Sequence, residues 1–182
     1  MVGRPVGRTE EFAQALTSAT PASHTPDVAL PAPGSLAPDF ELVDQHGTPV
    51  RLSSFRGVRN VLVVFYPWSF SGVCTGELCV LRDDLASFQN DDAQLLAISI
   101  DSKYVQRVFA EREGFDFPLL ADFWPHGEVA RRYGVFDFVA GVALRGTFVI
   151  DREGIVRWSV LRGIPDARDP QEYRRALAAM RP

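Results

Sequence analysis

The sequence predicts an α/β domain in which helices cover both faces of a central mixed sheet. Two apolar runs, residues 60–66 and 94–100, are continuous rather than alternating, which is typical of strands buried on both faces. Segments with helical spacing follow each run, and this alternation of strands and helices indicates a sheet with a helical layer on each side. A chain of 182 residues is long enough for one such domain with an extension.

The N-terminal region differs from the rest of the chain in composition. Residues 18–33 are rich in Ser, Thr, Pro and Ala, so they have little apolar surface to bury. We therefore predict a disordered N-terminal extension over residues 1–33 and a folded domain over residues 34–182. The alternative is that translation begins farther along the chain.

The folded domain is expected to begin with a hairpin, a strand and a helix. The hairpin is predicted because apolar pairs flank a polar turn at residues 44–48. Residues 60–66 then form the first buried strand. The helix that follows is predicted from four apolar side chains that recur at helical spacing: Leu78, Leu81, Leu85 and Phe88.

The middle of the domain repeats the strand and helix. After the second buried strand, Asp101 and Ser102 are expected to cap a helix and Gly114 to end it, so a helix is predicted at residues 103–113. Residues 117–120 are apolar and form a short strand in this interpretation.

The last part of the domain adds a helix, a second hairpin and a closing helix. Residues 125–133 are predicted to be helical because Pro125 suits a first turn and Gly134 suits the position past the end. Two strands, residues 145–150 and 155–160, are predicted on either side of an Asp-Arg-Glu-Gly turn. The last predicted element is a helix at residues 171–180. This order of elements is compatible with the thioredoxin fold.

Charge and composition exclude several classes of function. The 19 basic and 23 acidic residues give a net charge of −4, which does not favour nucleic-acid binding. No apolar stretch approaches the ~18 residues of a membrane span. Residues 1–30 lack the apolar core of a secretory signal. We therefore expect a cytoplasmic protein with no nucleic-acid or membrane partner.

No metal or other cofactor is expected. The two cysteines and three histidines, His24, His46 and His126, show no metal-ligand spacing. His126 would follow Pro125 in the first turn of a helix, where a surface or packing role is expected. No motif calls for haem or flavin.

The candidate chemistry lies in residues 65–79, FYPWSFSGVCTGELC. A buried strand ends at Tyr66, a loop follows, and Cys74 lies in the first turn of the next helix. The unpaired N–H groups and the positive end of that helix favour a thiolate, which is the attacking species in cysteine chemistry. The alternative is that Cys74 is a small buried apolar residue. The polar, loop-forming residues before it favour the reactive role.

Residues 67–74, PWSFSGVC, resemble the P-x-x-x-[T/S]-x-x-C signature of the peroxiredoxins, which are thiol peroxidases. The resemblance covers about residues 34–164 and is closest to the AhpE-type subgroup, with features of the bacterioferritin-comigratory-protein group. It also rests on residues 37–40 (APDF), 117–122 (FPLLAD), 123–127 (FWPHG), 133–135 (YGV) and 145–151 (RGTFVID).

The resemblance implies a role for each matching residue. Cys74 would be the peroxidatic cysteine, and Ser71 would hydrogen-bond the peroxide and the thiolate. Pro67 would shield the site from water, and Arg145 would hold the thiolate and polarise the peroxide. Such fixed donors stabilise the charge that develops on the departing oxygen. Without the resemblance, Arg145 would be interpreted as a solvated strand-end charge and Ser71 as a helix N-cap.

One acidic residue and four aromatic residues are weaker candidates. Glu77, one turn after Cys74, would either orient an arginine or complement the helix dipole. The aromatic residues could wall an apolar pocket, although aromatics at these spacings are more often core: Trp68, Phe70, Phe123 and Trp124.

Cys79 is a candidate resolving cysteine. Peroxide would convert Cys74 to a sulfenic acid that must be reduced. In some relatives of the bacterioferritin-comigratory-protein group the C-x4-C spacing marks the resolving cysteine, whereas AhpE-type sequences often lack it. In a regular helix the two Cα atoms would lie ~8.6 Å apart, beyond the roughly 4.4–6.8 Å of disulfides, so the helix would have to unwind locally. The alternative is a packed thiol, with an external thiol reducing Cys74.

The resemblance also implies partners. The substrates would be hydrogen peroxide and organic hydroperoxides, and the reductant would be thioredoxin, mycoredoxin or a low-molecular-weight thiol. AhpE-like relatives suggest a homodimer, whereas members of the bacterioferritin-comigratory-protein group are often monomeric. Two rival functions remain on the same fold. A thiol–disulfide oxidoreductase would normally show C-x-x-C, which is absent, and a thiol redox sensor would need fewer catalytic residues.

Overall fold

The computed structural model describes residues 28–180, so most of the predicted N-terminal extension lies outside the described residues. The strands are β1 (Glu41–Val43), β2 (Pro49–Arg51), β3 (Asn60–Phe65), β4 (Ala93–Ser99), β5 (Leu119–Ala121), β6 (Phe136–Asp137), β7 (Val142–Ala143), β8 (Arg145–Ile150) and β9 (Val156–Arg162). The helices are α1 (Gly72–Asp83), α2 (Leu85–Phe88), α3 (Lys103–Glu113), α4 (Glu128–Arg132) and α5 (Pro170–Ala178), with a 3₁₀ helix at Leu52–Phe55.

The central sheet has five strands in the order β5-β4-β3-β8-β9. Strands β3, β4 and β5 run parallel, whereas β8 is antiparallel to β3 and β9 is antiparallel to β8. Buried residues of α1, α3 and α5 pack against one face, and those of α4 pack against the other. The predicted mixed sheet with helices on both faces is therefore confirmed.

Strand β3 contributes to the apolar cores on both faces, because all six of its residues are buried. Successive side chains of a strand point to opposite faces. The odd-numbered residues 61–65 accordingly join one apolar cluster, and the even-numbered residues 62–66 join the other. The second cluster includes Cys74, so the candidate site lies on that face of the sheet.

Part of the predicted extension is described and contacts the domain. Leu30 packs against the core cluster that contains Tyr133. Gly134 has a φ of 65°, and a Cβ at this position would lie 2.5 Å from the carbonyl oxygen of Val28. A side chain at Gly134 would therefore push residues 28–30 away from the domain.

The prediction of a helix at residues 125–133 is wrong at its start. Helix α4 begins at Glu128, and Pro125 lies outside it after a cis peptide bond. The carboxylate of Asp122 accepts hydrogen bonds from the backbone N–H groups of Val129 (3.1 Å) and Ala130 (2.9 Å). This carboxylate thus satisfies first-turn amides of α4 from an earlier part of the chain, which fixes where the helix begins.

One other predicted helix differs from the structure, and one pair of strands was not predicted at all. The predicted helix through Leu78 and Phe88 is interrupted at Asp84, whose φ of −126° and ψ of 37° lie outside the helical region. The antiparallel pair β6–β7 was not predicted, since strands of two residues are too short to show an alternating pattern. Among residues 28–180, no helix is long and apolar enough to cross a membrane.

Asp122 makes the stability of the fold depend on pH. Burial raises the pKa of Asp122 to about 6, although the N–H groups of Ala130 and Val129 favour the ionised form. A carboxyl whose folded-state pKa lies above its unfolded value stabilises the fold at low pH and loses that contribution as pH rises.

We therefore expect the contribution of Asp122 to be lost between about pH 4 and about pH 6. Chemical denaturation of the wild type and Asp122→Asn across this range would measure it. The stability of the wild type relative to the variant should fall by on the order of 2 kcal/mol as pH rises. A relative stability that rises with pH would contradict the prediction.

Candidate active site

The candidate site lies at the carboxyl end of β3, where the chain leaves the sheet and enters α1. Ser71 occupies the N-cap position with an extended backbone, and Thr75 donates to its carbonyl oxygen at 2.8 Å. This is the first helical bond, so the N–H of Cys74 precedes it and has no partner within the helix. The Ser71 hydroxyl does not cap α1 but donates to the carbonyl oxygen of Trp68 at 3.3 Å.

Cys74 is fully buried, with 0% of its surface exposed, in the cluster that includes Val64 and Leu78. Pro67, the first residue of the loop after Tyr66, is also buried. A hydroperoxide can therefore reach the Cys74 sulfur only when the loop or the first turn of α1 moves. The Cys74 side chain thus has the apolar surroundings that the alternative interpretation expected.

The loop before α1 is attached to the end of β4. The Asp101 carboxylate accepts a hydrogen bond from the Ser69 N–H at 2.8 Å and another from the Ser99 hydroxyl at 2.9 Å. The Ser99 hydroxyl also accepts a hydrogen bond from the Gln106 side-chain amide at 3.1 Å. Asp101 therefore holds the backbone of the loop five residues before Cys74.

The same loop contains a strained residue. Phe70 has a φ of 64°, in the left-handed region that costs a non-glycine residue free energy. Its ring lies 4.8 Å from that of Phe109, centroid to centroid, and the Arg112 guanidinium lies 6.0 Å from the Phe70 centroid. These contacts with α3 help to offset the backbone strain at Phe70.

A buried ion cluster lies one turn after Cys74 on α1. The Glu77 carboxylate pairs with Arg145 and Arg168, and the side chains of all three are nearly fully buried. One Glu77 oxygen accepts from the backbone N–H of Arg168 at 2.7 Å and from its Nε at 3.0 Å. Burial alone would raise the pKa of Glu77, but the hydrogen bonds and charge of Arg168, with the charge of Arg145, lower it. The Glu77 carboxylate therefore fixes the positions of two buried guanidinium groups.

The sheet brings Arg145 to the same face and the same end as Cys74. Arg145 is the first residue of β8, and the pairing of Val64 with Thr147 places it at the carboxyl end of β3. Successive side chains of a strand point to opposite faces, so residues 145, 147 and 149 of β8 share one face of the sheet. Val149 belongs to the apolar cluster that contains Cys74, so this is the face of the candidate site. The Arg145 Nε donates to the carbonyl oxygen of Ile164 at 2.7 Å, and its Nη1 donates to Glu77. Together these two hydrogen bonds fix the plane of the guanidinium group.

Arg168 is a site residue that the sequence did not reveal. Its Nη1 donates to the carbonyl oxygens of Phe65 (2.8 Å) and Gly146 (2.9 Å) and to the Thr147 hydroxyl (3.0 Å). Arg168 therefore binds the end of β3 and the start of β8 while it pairs with Glu77. It stands in a polar loop among many arginines, and its partner Glu77 is 91 residues away, so no local pattern marks it.

The predicted aromatic wall is exposed. Trp68 and Phe70 lie in the loop before α1 with 38% and 44% of their surfaces exposed, and Trp124 is 81% exposed after β5. A cavity of about 650 Å³ lies at the amino end of β3, bordered by Asn60, Asp151 and Trp158. It includes none of the predicted site residues.

Cys79 is partly exposed, and its Sγ lies 4.0 Å from Oε2 of Glu113. Both cysteines are free thiols within the single helix α1. A disulfide between them therefore requires a change in α1. Residues 28–180 contain no group of three or more His, Cys, Asp and Glu side chains that could hold a metal ion.

Comparisons with known proteins give a consistent result. The AhpC/TSA family profile matches residues 33–159. Alkyl hydroperoxide reductase E of Mycobacterium tuberculosis is 50% identical over 147 residues, which are 81% of this chain and 96% of the relative. A thioredoxin peroxidase of Echinococcus granulosus is 37% identical over 80% of this chain and 79% of its own. The solved structure of peroxidoxin BcpB from Mycobacterium tuberculosis has a TM-score of 0.72 at 35% identity and covers 82% of this chain and 98% of its own.

The Glu77 cluster leads to a prediction about stability. Replacing Glu77 with Gln leaves two buried guanidinium groups without their counter-charge. Removing one partner of a buried ion pair costs about 3–5 kcal/mol, so we expect the free energy of unfolding to fall by about that amount. Urea denaturation at neutral pH would measure it.

Glu153→Gln is the matched control, because Glu153 is exposed on the turn between β8 and β9. It should change stability by less than about 0.5 kcal/mol. Equal effects of the two substitutions would show that the Glu77 cluster does not stabilise the fold.

Proposed function

The chain belongs to the AhpC/TSA family of peroxiredoxins, which are thiol-dependent peroxidases, and we propose that its peroxide-reducing residue is Cys74. One observation carries this assignment. Cys74 lies in the first turn of α1, on the face of the sheet that carries Arg145, and Glu77 one turn later binds that arginine. A nucleophile, helix amides and a fixed cation thus share one end of the sheet.

In the proposed reaction, the Cys74 thiolate attacks one oxygen of a hydroperoxide. A sulfur–oxygen bond forms and the oxygen–oxygen bond breaks, which leaves a sulfenic acid on Cys74 and an alcohol or water after protonation. The sulfur is oxidised and the peroxide is reduced. The Arg145 guanidinium, which Glu77 holds in place before the reaction, would stabilise the charge on the departing oxygen together with the unpaired N–H of Cys74.

Ser71 and Pro67 are assigned supporting roles. The Ser71 hydroxyl would rotate from the carbonyl oxygen of Trp68 to bind the peroxide and the thiolate. Pro67 is buried at the end of β3 and would keep water from the reacting atoms. Trp68 and Phe70 would cover the loop through which the peroxide enters.

We assign to Cys79 the role of resolving cysteine. Its thiol would attack the Cys74 sulfenic acid after the first turn of α1 unwinds. Gly72, Thr75 and Gly76 are poor helix formers, which lowers the cost of that unwinding. The alternative is that an external thiol reduces the sulfenic acid directly.

Substrates and reductant follow from the names of the relatives and from the chemistry. The relative named alkyl hydroperoxide reductase E supports organic hydroperoxides as substrates beside hydrogen peroxide. The relative named thioredoxin peroxidase supports a thioredoxin-type reductant, with mycoredoxin or a small thiol as the alternatives. The proposed place of action is the cytoplasm.

A homodimer is proposed through the exposed surface formed by Phe123, Trp124, Phe138 and Val139. The His126 ring bonds the carbonyl oxygen of Gly141 at 2.7 Å, which holds the two loops of this surface side by side. Exposed apolar patches of this kind are typical of protein–protein interfaces. A second copy of the chain is the proposed occupant because peroxiredoxins often form dimers.

Substitution of the two cysteines tests the assigned roles. Stopped-flow measurement of peroxide consumption should show that Cys74→Ser loses the reaction, with a rate at least about 1,000-fold lower, because the nucleophile is absent. Cys79→Ser should retain the first reaction with peroxide and accumulate the Cys74 sulfenic acid.

Mass spectrometry after one equivalent of peroxide identifies the products. The wild type should yield a peptide linked through Cys74 and Cys79. A Cys74→Ser variant with wild-type peroxide consumption would overturn the assignment of Cys74. Persistent sulfenic acid in the wild type, at the level of Cys79→Ser, would overturn the role of Cys79 alone.

The dimer is tested by Trp124→Glu, since a charge in the centre of an apolar interface disfavours association. Analytical ultracentrifugation should show a wild-type dimer and a weakened or monomeric variant. Val58→Glu, an exposed position before β3, is the control and should remain dimeric. A monomeric wild type, or a Trp124→Glu variant as dimeric as the control, would contradict this interface.

A further inference from the structure

We propose that Glu113 is the catalytic base that accepts the thiol proton of Cys79 when Cys79 attacks the Cys74 sulfenic acid. This inference rests on the proposed role of Cys79 as the resolving cysteine. The Glu113 Oε2 is the hydrogen-bond partner of the Cys79 Sγ at 4.0 Å. Sulfur hydrogen bonds are long, and catalytic hydrogen bonds often shorten only in the reacting complex.

Glu113 is held in place beside Cys79 by both helices. The Arg82 Nη1, on α1, donates to the Glu113 carbonyl oxygen at 2.5 Å. On α3, the Arg112 Nε lies 3.5 Å from Oε1, the other carboxylate oxygen of Glu113. Oε2 is therefore the oxygen directed at the thiol, and Glu113 remains only partly exposed, with 22% of its side chain accessible.

Cys79 is expected to stay beside Glu113 when α1 opens at its start. Glu77 is fixed by two buried arginines, and Leu78 and Leu81 are buried in the core. Gly72 and Gly76, by contrast, are exposed and lack side chains that could anchor the first turn. Unwinding should therefore stop before Glu77, so that Cys74 moves and Cys79 does not.

The path of Cys74 toward Cys79 follows α3. The Phe70 ring contacts Phe109 and Arg112, so the loop before α1 already lies along the part of α3 that ends at Glu113. An extended segment spans at most about 3.3–3.6 Å per residue, so the three steps from Glu77 back to Cys74 reach roughly 10 Å. This reach is enough to bring the two Cα atoms within the roughly 4.4–6.8 Å that a disulfide requires.

The reaction at this site balances. The Cys79 sulfur attacks the Cys74 sulfur, the S–S bond forms and the S–O bond of the sulfenic acid breaks. Glu113 accepts the Cys79 proton and passes it to the departing hydroxide, which leaves as water. The Cys79 sulfur is oxidised and the Cys74 sulfur is reduced, so no further oxidant or reductant is needed in this step.

A base beside Cys79 changes how the rate of disulfide formation depends on pH. The charged groups around the pair are Arg82 and Asp83 on α1 and Arg112 on α3. The Glu113 carboxylate accepts the proton during the attack, so disulfide formation does not wait for solvent to remove it. General base catalysis contributes roughly 10²–10⁴-fold, and its loss would leave a reaction that depends on hydroxide.

The test uses the full chain in a rapid-quench experiment with hydrogen peroxide. Acid quenching, alkylation and mass spectrometry give the rate of sulfenic acid formation and the rate of disulfide formation in one sample. The variants are Glu113→Gln, which keeps the shape of the side chain, Cys79→Ser, and the control Glu111→Gln on the exposed side of α3. Unchanged sulfenic acid formation in Glu113→Gln shows that the variant is folded.

We expect Glu113→Gln to form the disulfide at least about tenfold more slowly at neutral pH. The disulfide rate of the variant should rise with pH by close to tenfold per unit, whereas the wild type and Glu111→Gln should vary little between about pH 6 and pH 8. If the substitution merely disturbed the helix, disulfide formation would be slower at every pH. The dependence of its rate on pH would then match that of the wild type.

Two results would overturn the inference, and they differ. If the wild type forms the disulfide and Glu113→Gln matches its rate and pH profile, Glu113 is not the base, while the proposed role of Cys79 stands. If the wild type forms no disulfide and accumulates sulfenic acid like Cys79→Ser, Cys79 is not the resolving cysteine, and Glu113 has no such reaction to catalyse.

Discussion

The structure of the site depends on one carboxylate, that of Glu77, held between two buried arginines. Arg145 brings the first residue of β8 to it, and Arg168 brings the loop before α5. Arg168 also binds the backbone of Phe65 and Gly146, so the cluster joins α1 to two neighbouring strands of the sheet. Buried charges are costly unless paired, and the fold therefore favours the arrangement in which all three meet.

This anchoring divides α1 into two unequal parts. From Glu77 onward, ion pairs and buried leucines hold the helix on the sheet. Before Glu77, the first turn is held by the Cys74 side chain and by the loop that Asp101 binds through the Ser69 N–H. Cys74, the proposed nucleophile, thus lies in the turn that no buried ion pair among residues 28–180 holds, whereas Arg145, the proposed assisting cation, is held by Glu77.

The sequence predicted those features that depend on neighbouring residues. Helix α3 has the predicted limits, because Ser102 and Gly114 cap its two ends. The start of α4 could not be predicted, because it depends on hydrogen bonds from its first turn to the side chain of Asp122. The ion pair of Arg168 could not be predicted either, because its partner Glu77 is 91 residues away. The role proposed for Arg145 came from the resemblance to peroxiredoxins, because no spacing in the chain indicates it.

The position of the two cysteines in α1 also bears on the direction of the redox cycle. Joining Cys74 to Cys79 would require the first turn of α1 to unwind, because five helical steps separate the two Cα atoms by more than a disulfide allows. The regular helix belongs to the dithiol state, in which Cys74 is buried and the Phe70 loop contacts α3. If Cys79 resolves Cys74 as proposed, reduction of the disulfide would restore these contacts, and the fold would then favour the return to the dithiol. Under that proposal the protein would be suited to repeated turnover with a thiol donor rather than to lasting storage of an oxidised signal.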